Sequence, residues 1–219
     1  MAENAHSPEQ VQVRNAFATP IVMAMLGDFE KLNVRLKKTI LAREKKMPPA
    51  TGYDSNIGGW HSDRDFLKWG GKAGQQVAAA AQEIAERMTA SRSGRPIDLT
   101  WQVNAWANIN RRGHSNEFHV HPGCDWSGAY YVDDGGCAED ASLGGEFVIA
   151  DPRGPGPSMV SPELCFTGPG GQSVGATELV RPRAGVILVF PAWLSHAVRP
   201  YHGDATRISI SFNLSAKQA

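Results

Sequence analysis

The sequence has 219 residues, with 22 basic side chains balanced by 22 acidic ones, so its formal net charge is zero. A chain of this length can bury one substantial core, and all-β barrels of this size are often single domains. It carries no basic stripe to suggest nucleic acid, no acidic solvating tail, and no apolar run near the ~20 residues of a membrane span.

In chain order, residues 1–9 read as a frayed tail, without the charged and apolar regions of a signal peptide. Residues 11–25 are apolar and β-rich, interrupted by Pro20, and predict an opening strand or extended arm. Residues 28–46 carry Phe29, Leu32, Leu36 and Ile40 at helical spacing, with Asp28 as the expected N-cap and Pro48-Pro49 as the stop. Residues 52–71 read as a loop containing Trp60-His61-Ser62, and residues 75–88 as an Ala-rich helix ending before Gly94-Arg95-Pro96.

From Ile97 the period changes. Residues 99–109 alternate apolar and polar, the period of a strand. Further strands are expected over 117–121, 127–132, 146–150, 177–180, 186–190, 192–198 and 207–214. Eight short β segments separated by Gly, Pro and Asp turns predict a double-sheet jelly roll. Helices before strands make the class α+β, with the helices buttressing one sheet. The expected organisation is one domain over 1–219, with an arm and helices in 1–96 and the jelly-roll core in 97–219. Residues 151–176 hold Gly154-Pro155-Gly156-Pro157 and Gly168-Pro169-Gly170-Gly171. They predict a long loop without secondary structure, either a lid or a plain surface loop. No internal repeat is present.

Cys124, Cys137 and Cys165 are odd in number and lack CxxC spacing. They form neither a disulfide framework nor a zinc knuckle, and a reduced, cytoplasmic compartment is expected. Cys124 reads as a small buried thiol.

The chemistry concentrates in the histidines. His119-Val120-His121 lies in a strand-like run, where side chains at i and i+2 share a face. His196 follows a buried strand ending Phe190-Pro191. Neutral imidazole is a common metal ligand, and three of them close a site. The usual facial set for iron that activates oxygen has two His and one carboxylate. In the common H-x-D…H pattern His121 occupies the Asp position, so the site has either three neutral ligands or a carboxylate from Asp125, Glu117, Glu146 or Asp151. His119, His121 and His196 are the favoured set. His6, His61, His114 and His202 read as surface or core residues. In Arg207-Ile208-Ser209-Ile210-Ser211-Phe212 the isoleucines and Phe212 share one face, and Arg207, Ser209 and Ser211 the other. A barrel arginine needs a counter-charge, and its fork suits the distal carboxylate of 2-oxoglutarate, with Ser209 adding a hydroxyl.

These motifs, together with Trp106-Ala107-Asn108-Ile109, Trp126-Ser127-Gly128-Ala129-Tyr130-Tyr131-Val132 and Phe190-Pro191-Ala192-Trp193-Leu194-Ser195-His196, resemble the 2-oxoglutarate/Fe(II) oxygenases of bacteria and their phages, distant relatives of prolyl 4-hydroxylases. Phe17-Ala18-Thr19-Pro20 and Gly59-Trp60-His61-Ser62 also look like that family. The resemblance implies a double-stranded β-helix, iron(II) at His119 and His196 with His121 in the usual Asp position, and 2-oxoglutarate held by Arg207 with Ser209. Tyr131 and Asn108 are further implied contacts, by position only. The implied reaction hydroxylates a C–H bond and decarboxylates 2-oxoglutarate to succinate.

Trp106, Trp126 and Trp193 are expected mostly in the core, with pocket lining as the other role, and Gly-rich residues 135–145 are expected to shape substrate entry. Two rival readings are a three-His zinc or iron enzyme without 2-oxoglutarate and a non-enzymatic jelly-roll binding module. The substrate, a small molecule or a protein, is not named by the sequence. Homodimers are common among such proteins, and nothing in the sequence specifies one.

Overall fold

Strand alternation decides which side of the molecule holds the core and which holds the chemistry. The computed structural model describes residues 12, 17–51, 55–95, 97–154, 166–168, 171–173 and 177–218. The helices are α1 (Phe29–Glu44), α2 (Phe66–Trp69) and α3 (Gly71–Arg87). The strands are β1 (Val22–Met25), β2 (Asn56–Ile57), β3 (Trp60–His61), β4 (Leu99–Asn110), β5 (Ser115–His119), β6 (Trp126–Asp133), β7 (Phe147–Ala150), β8 (Phe166–Gly168), β9 (Gly171–Ser173), β10 (Thr177–Val180), β11 (Val186–Pro191), β12 (His196–Val198) and β13 (Arg207–Gln218).

One sheet runs β1-β11-β6-β13-β4-β3 and the other β10-β7-β12-β5-β2, all named pairs antiparallel, with β8 and β9 as a separate hairpin. This is the jelly roll expected from the strand pattern. In β13, Ile208, Ile210, Phe212 and Leu214 enter the main core with Leu32, Leu36 and Ile40 of α1 and Val77 and Ala81 of α3. Burying each such side chain contributes roughly 1.5–3 kcal/mol. Arg207, Ser209, Ser211 and Asn213 take the opposite face and line a cavity between the sheets. The same alternation holds in β4, where Ala105, Ala107 and Ile109 enter the core and Trp106, Asn108 and Asn110 line the cavity. A smaller cluster of Phe147, Ile149, Leu188, Phe190 and Leu194 closes the space between the sheets.

The helices buttress the larger sheet, as expected. Tyr130 of β6 donates a hydrogen bond to Asn33 of α1 at 2.6 Å. α3 begins at Gly71 rather than at 75, because Gly70 and Gly74 close around Phe66; a Cβ at Gly74 would stand 2.8 Å from its ring. Asp28 does not cap α1 with its side chain. Its backbone is left-handed (φ 50), outside the extended conformation that presents a capping oxygen, and only its carbonyl accepts, from Leu32 N–H at 3.2 Å.

Five more expectations change. The 52–71 loop contains β2, β3 and α2. The strand expected over 117–121 ends at His119, and that over 192–198 begins only at His196, after a turn. The 151–176 segment includes the β8–β9 hairpin, and its lid role concerns positions largely outside the described residues, as do the 1–9 tail, His6 and Cys165. The opening strand is Val22–Met25, paired with β11 at the sheet edge. Among the described residues, no helix is long and apolar enough to cross a membrane.

Candidate metal centre

β12 lies between β5 and β7, and its first residue, His196, pairs in register with His119, the last of β5. His121 is not on the strand. Pro122 cannot donate to a ladder and Gly123 turns the chain at φ 81. The segment is held to the turn before β12 instead, through His121 N–H to Ala192 O at 2.9 Å and Ala192 N–H to Asp125 O at 3.0 Å. Two turns tied together therefore place the third imidazole beside a cross-strand pair. The ligand atoms of His119, His121 and His196 all lie within 4.8 Å of one another, and the Nε2 atoms of His121 and His196 are 3.3 Å apart.

His119 Nδ1 donates to Glu117 O at 2.8 Å and His196 Nδ1 to Leu194 O at 2.7 Å. A carbonyl only accepts, so each Nδ1 carries the proton and each Nε2 keeps its lone pair. Phe147 stacks on His196 with centroids 5.0 Å apart, and Phe190 meets it edge-on at 4.7 Å. Burial between these rings, then the neighbouring His119, pushes the His196 pKa down to about 3. Burial, then His119 and Arg64, takes His121 down to about 4, and burial also lowers His119. All three are neutral near pH 7, as metal ligation requires.

Among the described residues, no carboxylate joins this cluster. Asp125 accepts from Ala216 N–H at 2.7 Å, Asp151 binds Arg153, and Glu117 meets His119 through its backbone. Glu146 is half-buried, with its Oε2 buried and unpartnered.

The cavity has a volume of about 940 Å³. Arg207 is 2% exposed. Its NH groups reach Asn110 Oδ1 at 3.3 Å and Gly145 O at 3.4 Å, its Cζ lies 5.4 Å from the Tyr131 ring centre, and its Nε has no partner. No carboxylate among the described residues pairs with it. The Tyr131 hydroxyl is likewise buried and unpartnered, and burial raises its pKa, so it stays a donor. Ser209 is buried in the cavity wall. Asn108 Nδ2 donates to Ser211 at 2.9 Å, bracing the wall.

All seven expected site residues therefore line one cavity. Asn110 and Asn213 were not anticipated; each shares strand parity with an expected residue, two positions beyond Asn108 and four beyond Ser209, and parity was the available signal. The three tryptophans separate. Trp106 lines the cavity with its ring 6.0 Å from His121, Trp126 is in the core, and Trp193 is exposed. Cys124 is free and half-buried in the cavity wall rather than fully buried. Residues 135–145 do not line the entrance; Gly145 contacts Arg207 and Gly135 O accepts from Tyr201.

A family model described as "Putative 2OG-Fe(II) oxygenase" matches residues 104–213. No curated protein sequence matches the chain. Among solved structures, a prolyl-4-hydroxylase of Pseudomonas putida is similar, with TM-score 0.61 and 15% identity over 90% of this chain and 92% of that one. HygX of Streptomyces hygroscopicus, with nickel and 2-oxoglutarate bound, gives TM-score 0.57 and 12% identity over 90% and 83%. A Trichoplax adhaerens prolyl hydroxylase, in complex with a hypoxia inducible factor oxygen degradation domain peptide fragment, gives 0.57 and 12% over 88% and 83%. At these identities the structural likeness is one of fold, the double-stranded β-helix.

Proposed function

The chain belongs to the 2OG-Fe(II) oxygenase family, and on that premise we propose that His119, His121 and His196 hold its iron(II) and that Arg207, with Ser209, takes the distal carboxylate of 2-oxoglutarate. The observation carrying this assignment is that three neutral imidazoles converge on the same cavity as a buried arginine without a carboxylate partner. An unpaired buried charge is costly, and a dicarboxylate reaching from the metal to Arg207 supplies its counter-charge.

When bound, iron(II) and 2-oxoglutarate activate O2, so that one oxygen atom enters succinate as CO2 leaves and the other hydroxylates a C–H bond. The protein's part is to bind, orient and exclude water. Glu117 O and Leu194 O fix the ring orientations of His119 and His196. Phe147 and Phe190 pack against His196 and keep that side of the site dry. Arg207 orients the co-substrate, with the Tyr131 hydroxyl as a second donor and Asn108 shaping the wall. His121, a neutral ligand in the place of the usual Asp, leaves more net charge on the metal.

A three-His zinc or iron enzyme without 2-oxoglutarate is less well supported, because it gives Arg207 no counter-charge. We place this enzyme in the cytoplasm, where Cys124 and Cys137 stay reduced. It works as one domain over 1–219, with an arm and helices in 1–96 and the jelly-roll core in 97–219. The substrate is a small molecule or a protein side chain.

The test is anaerobic titration of metal-free protein with Fe(II) and then 2-oxoglutarate. A visible metal-to-ligand charge-transfer band that needs both supports the assignment. Iron binding with no band on adding 2-oxoglutarate moves the site to another chemistry, with zinc the next metal to test.

A further inference from the structure

Two of the three histidines have their tautomer fixed by backbone carbonyls, and the third does not. His121 Nδ1 faces the side-chain amide of Asn213, with Nδ2 at 3.4 Å. An amide can present either a donor or an acceptor, so this neighbour permits both tautomers. As the side chains stand, Asn213 N–H donates to His121 Nδ1. The proton of neutral His121 is then on Nε2, directed at the His196 Nε2 lone pair 3.3 Å away. Ser127 completes the chain by donating its hydroxyl to Asn213 Oδ1 at 2.9 Å. The Ser127 hydroxyl, one Asn213 N–H and the His121 Nε2–H each have an acceptor in this arrangement, but His121 Nε2 cannot ligate a metal while it carries a proton.

Resting on the three-histidine reading, we propose that Asn213 is the positioning residue for His121, and that its amide turns over as the metal binds. Turned by 180°, Oδ1 accepts from His121 Nδ1–H and frees the Nε2 lone pair. Nδ2–H then donates to Ser127 Oγ, whose hydroxyl turns to Phe212 O, 3.3 Å away. The imidazole holds one proton throughout; only its position changes. In both arrangements Asn213 Oδ1, one Asn213 N–H and the Ser127 hydroxyl keep a hydrogen-bond partner, which matters because Asn213 is 5% and Ser127 1% exposed. Asn213 lies on the cavity face of β13 with Arg207, Ser209 and Ser211, so strand parity aims it at the site.

The experiment compares Co(II) binding by wild type, Asn213→Leu and Asn213→Asp, with far-ultraviolet circular dichroism to check folding. It is joined by long-range 1H–15N NMR of His121 in chelator-treated and Zn(II)-loaded protein. Leu has similar volume and no hydrogen bond, and should weaken Co(II) about 10–100-fold, the usual cost of losing such a support. Asp only accepts, and should keep affinity within a few-fold of wild type. In wild type the His121 proton should sit on Nε2 after chelation and on Nδ1 with Zn(II); in Asn213→Asp it should sit on Nδ1 in both. Wild-type affinity in Asn213→Leu overturns the proposal, as does equal weakening in both variants, which marks a purely structural role. Should Asn213→Leu not fold, a Nε2 proton in chelated Asn213→Asp overturns it instead. Wild type that takes up no Co(II) overturns the ligand assignment itself, and this inference with it.

Discussion

Replacing Arg207 with Met separates a co-substrate anchor from a structural strut. The guanidinium is 2% exposed, and its hydrogen-bond partners are neutral oxygens at 3.3 and 3.4 Å, longer than the usual 2.7–3.2 Å. They compensate its desolvation poorly, and Nε has no partner at all. Met removes the charge and keeps much of the side-chain volume, while Asn110 Oδ1 and Gly145 O each lose a weak donor. These effects oppose each other, so stability without 2-oxoglutarate should change by no more than about 1 kcal/mol, or a Tm shift of roughly 2–4 °C at this chain length. Affinity should respond far more. Truncating one partner of a buried, hydrogen-bonded charge pair costs about 2–5 kcal/mol, and at ~1.4 kcal/mol per tenfold the lower bound is a roughly 30-fold rise in Kd. Calorimetric titration of metal-loaded protein with 2-oxoglutarate under nitrogen, beside thermal melts, reads both quantities. Wild-type affinity in Arg207→Met refutes the anchor assignment. A loss of stability above about 3 kcal/mol would show that Asn110 and Gly145 are the reason Arg207 is there.

Three further outcomes are expected. His119→Ala or His196→Ala should abolish stoichiometric metal binding with the fold retained, whereas His121→Asp should still bind iron; full occupancy by elemental analysis in either Ala variant removes that residue from the ligand set. Acid should weaken metal-free protein between the ordinary histidine value of 6.5 and about pH 4, because in that window the unfolded chain takes up protons that folded His121 and His196 resist. This contribution is fully present above pH 6.5 and lost as pH falls, so a Tm that rises from pH 7.5 to pH 5 contradicts the burial argument. Gly128→Ala should destabilise by about 1–3 kcal/mol or more, since the added Cβ would stand 2.2 Å from Leu188 O and 2.5 Å from the Phe212 ring; an unchanged urea midpoint would show that β6 shifts freely.

Much of this was legible in the sequence because strand parity is a local property. The alternation Ile208-Ser209-Ile210-Ser211-Phe212 assigns one face to core and one to cavity before any partner strand is known. Parity misled at His121. The i,i+2 argument put both histidines on one strand face, and the strand ends at His119. Asp28 failed similarly: its residue type suits a cap, but its left-handed backbone does not present the carboxylate to the first turn. The early start of α3 depends on how Phe66 nests against Gly70 and Gly74, which propensity does not encode.

The sequence by itself determined the α+β class, the β-rich second half, the histidine and arginine candidates, and the polar face of β13. These follow from residue chemistry and from periods of two and 3.6. Only the tertiary structure decided that His196 lands in register with His119, that Ala192 captures the backbone of His121, and that no carboxylate joins the three rings among the described residues. It also decided that Asn110 meets Arg207 and Asn213 meets His121. The reason is that such contacts join residues up to about a hundred positions apart, and their closure depends on the register of two sheets and the hydrogen bonds between two turns.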